Sequence, residues 1–113
     1  VINGTKCNDK FVLNIALNYG ARAEIARAAS LAVKNGEPVT PETVSKYLYT
    51  ADIGDPELII RTGGELRLSN FMLFQAAYSE LYFTKVMWPD FNEEEFDKAL
   101  EDFSKRKRRF GGI

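Results

Sequence analysis

The sequence predicts an α/β fold, a parallel sheet covered by helices on both faces. Three observations carry that expectation. Short apolar runs of β type alternate with segments of helical period. The first of those runs is apolar on both faces, as in a strand buried within a parallel sheet. Gly, Pro or Asn stands where one pattern gives way to the next.

Taken in order, Phe11-Val12-Leu13-Asn14-Ile15-Ala16-Leu17 is the first predicted strand, ending in the polar punctuation of Asn18-Tyr19-Gly20. Between residues 21 and 35 the period becomes helical, with Ile25, Ala28, Ala29, Ala32 and Val33 on one stripe and Gly36 as the stop. A second helix begins at Thr40, a suitable N-cap, followed by Pro41 at the first helical position. Val39 is placed to staple onto Val44, and the helix should end near Tyr49. After Asp55-Pro56, the run Glu57-Leu58-Ile59-Ile60 reads as a strand ending at Arg61. A short helix is expected from Asn70 to Ala77, then a strand at Leu81-Tyr82-Phe83. Asn92 caps a last helix whose first turn carries Glu93, Glu94 and Glu95, matched to the positive end of the dipole. Phe96, Ala99, Leu100 and Phe103 form its inner stripe, and residues 105–109 load its negative end.

The 113 residues make one domain's worth of chain, with no internal repeat and no low-complexity linker. Fifteen Lys plus Arg against sixteen Asp plus Glu leave a net charge of -1, so no global basic field recruits nucleic acid. There is no histidine, which excludes His-based triads, His-zinc sites and imidazole switches. The single cysteine, Cys7, cannot form an intramolecular disulfide, and this fits a cytoplasmic setting. No stretch approaches the ~20 apolar residues of a membrane span. Val1-Ile2-Asn3-Gly4-Thr5 carries neither an initiator Met nor a signal-peptide pattern and reads as the interior of something longer. Carboxylates, arginines, hydroxyls and backbone amides are left to do the chemistry.

The informative stretch is Arg61-Thr62-Gly63-Gly64-Glu65-Leu66-Arg67-Leu68-Ser69-Asn70, which begins where a predicted strand ends. In open α/β sheets ligands bind outside the carboxyl ends of strands. The glycines permit positive φ and close backbone approach, so their amides can turn toward an anion. Arg61 and Arg67 supply two permanently charged forks that fit phosphate oxygens. Ser69 adds a hydroxyl at the expected start of a helix, where free N–H groups favour an anion. The same residues also read as a surface loop in which Arg61 and Arg67 pair with Glu57 and Glu65 and Ser69 only caps. It is not a Walker P-loop, because no Gly-Lys-Ser/Thr follows.

Glu80 is a second candidate. A carboxylate entering an aromatic-apolar strand is costly unless it meets a cation, either a magnesium ion or a structural arginine. The basic run of residues 105–109 could contact nucleic acid. Yet residues 90–102 carry seven acids and one lysine, so the run also balances that segment and the helix dipole. Asn18, Gly20 and Arg22 sit at another strand-to-helix junction, able to face the same crevice as Arg61 or to cap the helix and pair with Glu24.

Leu13-Asn14-Ile15-Ala16-Leu17-Asn18-Tyr19-Gly20-Ala21-Arg22 resembles a signature of the cis-prenyltransferases, the undecaprenyl diphosphate synthase family. The stretch from Asp55-Pro56-Glu57 through the arginine loop to Phe71, Gln75 and Tyr78-Ser79-Glu80-Leu81-Tyr82-Phe83 resembles its most diagnostic region. Trp88-Pro89-Asp90-Phe91 and Arg108-Arg109-Phe110-Gly111-Gly112 match in the same order. Ala21 stands where the family usually has a second glycine, and Phe74 where tryptophan is common.

The resemblance implies an undecaprenyl diphosphate synthase-like fold and a magnesium-dependent enzyme. It would condense isopentenyl diphosphate with an allylic diphosphate such as farnesyl diphosphate, giving a cis-polyprenyl diphosphate, undecaprenyl diphosphate for a cell-wall lipid carrier. By the same resemblance Arg61, Arg67, Leu68 and Ser69 hold isopentenyl diphosphate and Glu80 belongs to the magnesium site. Arg109 and Gly111 lie in a tail that reaches the partner's active site in a homodimer. The family's N-terminal half, with an Asp-Gly-Asn-Gly-Arg-type loop and the product tunnel walls, has no match in residues 1–113. The expectation is therefore the C-terminal half of one catalytic domain, with catalytic residues in the other half. The other expectations are a cytoplasmic location, no nucleic-acid partner, and peripheral membrane contact through the lipid product. A non-catalytic subunit that lends these motifs to a catalytic partner is the alternative.

Overall fold

The computed structural model describes residues 2–107 and 109, and for Ile2 the backbone alone. Six regular elements follow one another: α1 (Ile2–Thr5), α2 (Ala21–Lys34), α3 (Pro41–Tyr47), β1 (Leu58–Arg61), β2 (Glu80–Phe83) and α4 (Glu93–Lys105). Single 3₁₀ turns at Gln75–Tyr78 and Trp88–Asp90 punctuate the second half.

The helices begin where local chemistry directs. Thr40 caps α3 in a reciprocal box: its Oγ1 accepts from Thr43 N at 3.2 Å, while its own N donates to Thr43 Oγ1 at 2.8 Å. Asn92 Oδ1 accepts from Glu95 N at 3.0 Å at the start of α4, and three glutamates follow in the first turn. The N-cap of α2 is Gly20, which has no side chain to offer. Its place is taken from a distance: Asn70 O accepts from Ala21 N at 2.8 Å and Asn70 Oδ1 from Arg22 N at 2.9 Å.

β1 and β2 pair in parallel with Leu58 opposite Glu80 and Arg61 opposite Phe83. The parallel pair and its helices bear out the α/β order. The ladder continues past both strands, since Thr84 N donates to Arg61 O, Gly64 N to Thr84 O and Gly63 N to Val86 O, each at 2.9 Å. Gly63 and Gly64 have φ of +90° and +83°, which let the chain bend while its amides stay bonded. α4 packs against β2, and α2 against α3. The latter contact is close because α2 presents alanines: Ala28 is fully buried against Val44 and Leu48, with Tyr47 and Phe74 packed around them.

Three elements differ from expectation. Residues 11–17 form no strand. Among the described residues nothing pairs with them, and Phe11 and Leu17 are 78% and 82% exposed. An apolar run becomes a strand only when a neighbouring backbone completes its hydrogen bonds. The helix expected from Asn70 to Ala77 shrinks to the 3₁₀ turn at Gln75–Tyr78, because Ser69, Asn70 and Met72 adopt φ of 51°, 65° and 48°. On α4 only Ala99 of the inner stripe is buried, whereas Phe96 and Leu100 keep over two-fifths of their surface exposed. Val39 is also left exposed. Among the described residues no helix is long and apolar enough to cross a membrane.

Candidate functional site

Arg61 closes β1, so its side chain leaves the sheet at the carboxyl end of the strand. From Nη1 it donates to Ser69 Oγ at 3.0 Å and to Arg67 O at 2.6 Å. Both acceptors are neutral, so these bonds orient the guanidinium without cancelling its charge. Arg67 is placed differently: its Nη1 lies 2.8 Å from Glu65 Oε2, and both side chains are exposed. Leu68 joins Ile59, Ile60, Arg61, Thr62 and Phe71 around a cavity of about 280 Å³. The structure thus brings Arg61, Arg67, Leu68 and Ser69 into one loop cluster.

Two parts of the expected cradle are corrected. The amides of Gly63 and Gly64 do not face an anion, because both already donate to carbonyls of the returning chain. Ser69 does not open a helix, since its φ is 51°. The amides of Gly63 and Gly64 are thus not free to grip an anion, which leaves the side chains of Arg61, Arg67 and Ser69 as the candidates.

Phe71 also lines a second, larger cleft of about 810 Å³ bounded by Asn14, Asn18, Tyr19, Arg27, Tyr49 and Met72 among others. Its ring meets Tyr19 edge-on, with centroids 5.7 Å apart at 77°. Asn18 therefore borders a cleft adjoining the Arg61 loop, whereas Arg22 is exposed and uses its backbone N on Asn70. Glu24 does not pair with Arg22. It is 2% exposed and accepts from the Tyr19 hydroxyl, from Gln75 Nε2 at 3.1 Å and from Tyr49 N at 2.8 Å. Gln75 Nε2 also reaches Thr50 Oγ1 at 3.1 Å. Burial, then the hydrogen bond and negative charge of Glu24, push the Tyr19 hydroxyl up to about 12 from its ordinary 10.0. Reading the residues missed Glu24, Gln75 and Asn70 as a group. Their spacing in sequence carries no local signal, although asparagine in a loop is one of the few residues that tolerate left-handed backbone.

Glu80 opens β2 opposite Leu58, while Arg61 ends β1, so Glu80 and the arginine loop are at opposite ends of the paired strands. Glu80 Oε1 lies 3.5 Å from Arg106 Nη1. Arg106 in turn donates to Leu81 O at 2.9 Å and from Nε to Asp102 Oδ1 at 2.6 Å. No group of three or more His, Cys, Asp or Glu able to hold a metal exists among the described residues. One carboxylate already facing a guanidinium does not fit a magnesium ion on its own. Lys105 is likewise engaged, 3.0 Å from Glu101 Oε1, so the basic run begins by neutralising its own helix. Arg109 is exposed; Gly111 lies outside the described residues.

The prenyltransferase family model for undecaprenyl diphosphate synthase matches residues 1–111. An isoprenyl transferase of Fusobacterium nucleatum is 60% identical over 110 residues, which are 96% of this chain and 47% of that protein. The isoprenyl transferase of Thermotoga maritima is 54% identical over 114 residues, 96% of this chain and 49% of that protein. Among solved structures, a probable undecaprenyl diphosphate synthase from Campylobacter jejuni superposes with a TM-score of 0.88 at 35% identity, covering 97% of this chain and 52% of that one. Lavandulyl diphosphate synthase from Lavandula x intermedia, in complex with dimethylallyl diphosphate, gives 0.75 at 37% identity, covering 86% and 45%. The chain spans about half the length of the curated relatives it matches.

Proposed function

The chain belongs to the undecaprenyl diphosphate synthase family, and we propose that its arginine loop grips the diphosphate of isopentenyl diphosphate. The reaction served is condensation of isopentenyl diphosphate with an allylic diphosphate such as farnesyl diphosphate, to a cis-polyprenyl diphosphate of the undecaprenyl kind. The observation that carries this reading is the Arg61 guanidinium, held 3.0 Å from Ser69 Oγ at the carboxyl end of β1 by neutral acceptors that leave its charge available. Ser69 presents its hydroxyl beside that charge. Arg67 exchanges Glu65 for the diphosphate: the exposed pair is worth only ~0–1 kcal/mol, and a bidentate charge-assisted grip on phosphate oxygens is stronger. Leu68, beside the small cavity, meets the start of the hydrocarbon.

A magnesium site is not assembled by these residues alone; Glu80 is the one carboxylate proposed to reach the ion once Arg106 lets go. Arg109 and Gly111 are proposed to complete the partner's site in a homodimer. A cytoplasmic enzyme touching the membrane through its lipid product completes the proposal. One observation favours the alternative of a subunit that lends its motifs to a catalytic partner: Glu80 is engaged by Arg106.

Calorimetric titration of the chain with isopentenyl diphosphate tests the reading. Saturable binding that Arg61→Ala abolishes or cuts at least tenfold is the expected result. Binding indifferent to both arginines would overturn it.

A further inference from the structure

We propose that Asn70 is a positioning residue for the arginine loop: it ties the loop to the start of α2, and through that tie holds Ser69 Oγ on the Arg61 guanidinium. The proposal rests on the reading of that loop as a diphosphate site and adds the residue that shapes it.

The loop closes through a tight turn, in which Phe71 N donates to Leu68 O at 3.1 Å. The two central residues, Ser69 and Asn70, have φ of 51° and 65°. Positive φ at both central positions marks a type I′ turn, which ordinarily takes glycine, asparagine or aspartate. Asparagine suits the second position; serine is poorly suited to the first. An unfavourable backbone of this kind persists only where its surroundings hold it, and such residues gather at ligand sites.

What holds it is α2. Ala21 N donates to Asn70 O at 2.8 Å and Arg22 N to Asn70 Oδ1 at 2.9 Å. Gly20 makes room for this: a Cβ there would sit 2.9 Å from Asn70 Nδ2. Gly20 has an extended φ of -145°, so a side chain there would change the space left to the end of Asn70 and not the backbone conformation. The arrangement fastens Asn70 by main chain and side chain together, and its neighbour Ser69 is thereby aimed at Arg61. Two amides at the start of α2 are used in the process and are not offered to an anion.

A residue that merely caps α2 would affect melting and leave ligand affinity alone. The test is calorimetry of the 113-residue chain with inorganic diphosphate and with isopentenyl diphosphate, run well below each variant's melting temperature. Asn70→Gly keeps left-handed freedom but removes the Oδ1 acceptor, and Gly20→Ala crowds the same contact from the α2 side. Each should weaken both ligands about tenfold, the effect of one charge-assisted bond no longer made. Because Asn70 acts through Ser69, Ser69→Ala should cost nothing further in the Asn70→Gly background. Unchanged affinity in folded Asn70→Gly, or losses from Asn70→Gly and Ser69→Ala that simply add, would overturn the positioning role while the diphosphate reading stands. Should Asn70→Gly fail to fold, Gly20→Ala with and without Ser69→Ala decides by the same criterion. No binding by the unmodified chain would overturn both readings together.

Discussion

Removing the guanidinium of Arg61 should weaken isopentenyl diphosphate binding more than removing that of Arg67. Each arginine offers a charge-assisted bond worth roughly 1.5–3 kcal/mol, so Arg61→Ala should raise the dissociation constant about ten- to a hundredfold. Nothing offsets that loss, since Arg61 donates to a hydroxyl and a carbonyl in the free protein and keeps its charge for the ligand. Arg67 must first leave Glu65, 2.8 Å away on an exposed surface. Subtracting ~0–1 kcal/mol for that pair makes Arg67→Ala milder by up to about fivefold. Lysine should rescue either site only in part, because a point charge cannot reproduce a bidentate fork. Glu65→Ala should tighten binding, since Arg67 is then released in advance. The assay is titration calorimetry at low ionic strength, with inorganic diphosphate as a second ligand. Equal losses at the two arginines together with no gain in Glu65→Ala would refute the division of labour, and no loss at either would refute the site.

Glu24→Gln turns an acceptor of three hydrogen bonds into a group that must place an NH₂ among donors, so it should destabilise the fold by about 1–3 kcal/mol, read in a thermal melt. The same variant should bring the Tyr19 hydroxyl down from about 12 toward 10 in a tyrosinate absorbance titration. Because the folded value is the higher one, this contribution to stability is whole below pH 10 and is lost as pH rises to about 12. Glu80→Gln should shift stability by under about 1 kcal/mol, since Arg106 retains Asp102 and the Leu81 carbonyl. If Glu80 serves magnesium, the metal concentration needed for half-maximal turnover in the complete enzyme should rise. If Arg109 and Gly111 complete a partner's site as proposed, removal of residues 109–113 should leave the melting temperature unchanged and abolish turnover; full activity would take the tail out of the site.

How legible each feature was depends on the range of the interaction behind it. The helix α4 was readable because Asn92, its acidic first turn and its apolar stripe all act within a few residues. The capping box of α3 was readable for the same reason at Thr40 and Pro41. Residues 11–17 carry the composition of a strand, but pairing is a property of a neighbour, and among the described residues the paired strands are β1 and β2 alone. The nine-residue span from Arg61 to Ser69 is short enough to bring its side chains together, and Arg61 does reach Ser69, while Arg67 pairs with Glu65 as the surface-loop reading has it. The span could not reveal that the glycine amides continue the ladder to Thr84 and Val86. Nor could it show that Asn70 is drawn to α2 from 48 residues away, which excludes a helix starting at that point.

On the proposed reading the two arginines do different work despite their similar chemistry. Arg61 is preorganised: a strand end fixes its backbone, and a hydroxyl and a carbonyl direct its fork. Preorganisation lowers the ordering cost that binding would otherwise incur. Arg67 stands on the exposed side of the loop and is restrained only by a solvent-screened carboxylate, so it can close over an anion after that anion has met Arg61. A site built in this way, from one aimed charge and one recruited charge with the Gly63 and Gly64 amides engaged elsewhere, would place its geometric specificity in the turn that aims the first. The left-handed pair Ser69 and Asn70 is that turn, and its attachment to α2 is what makes an otherwise unfavourable backbone stand.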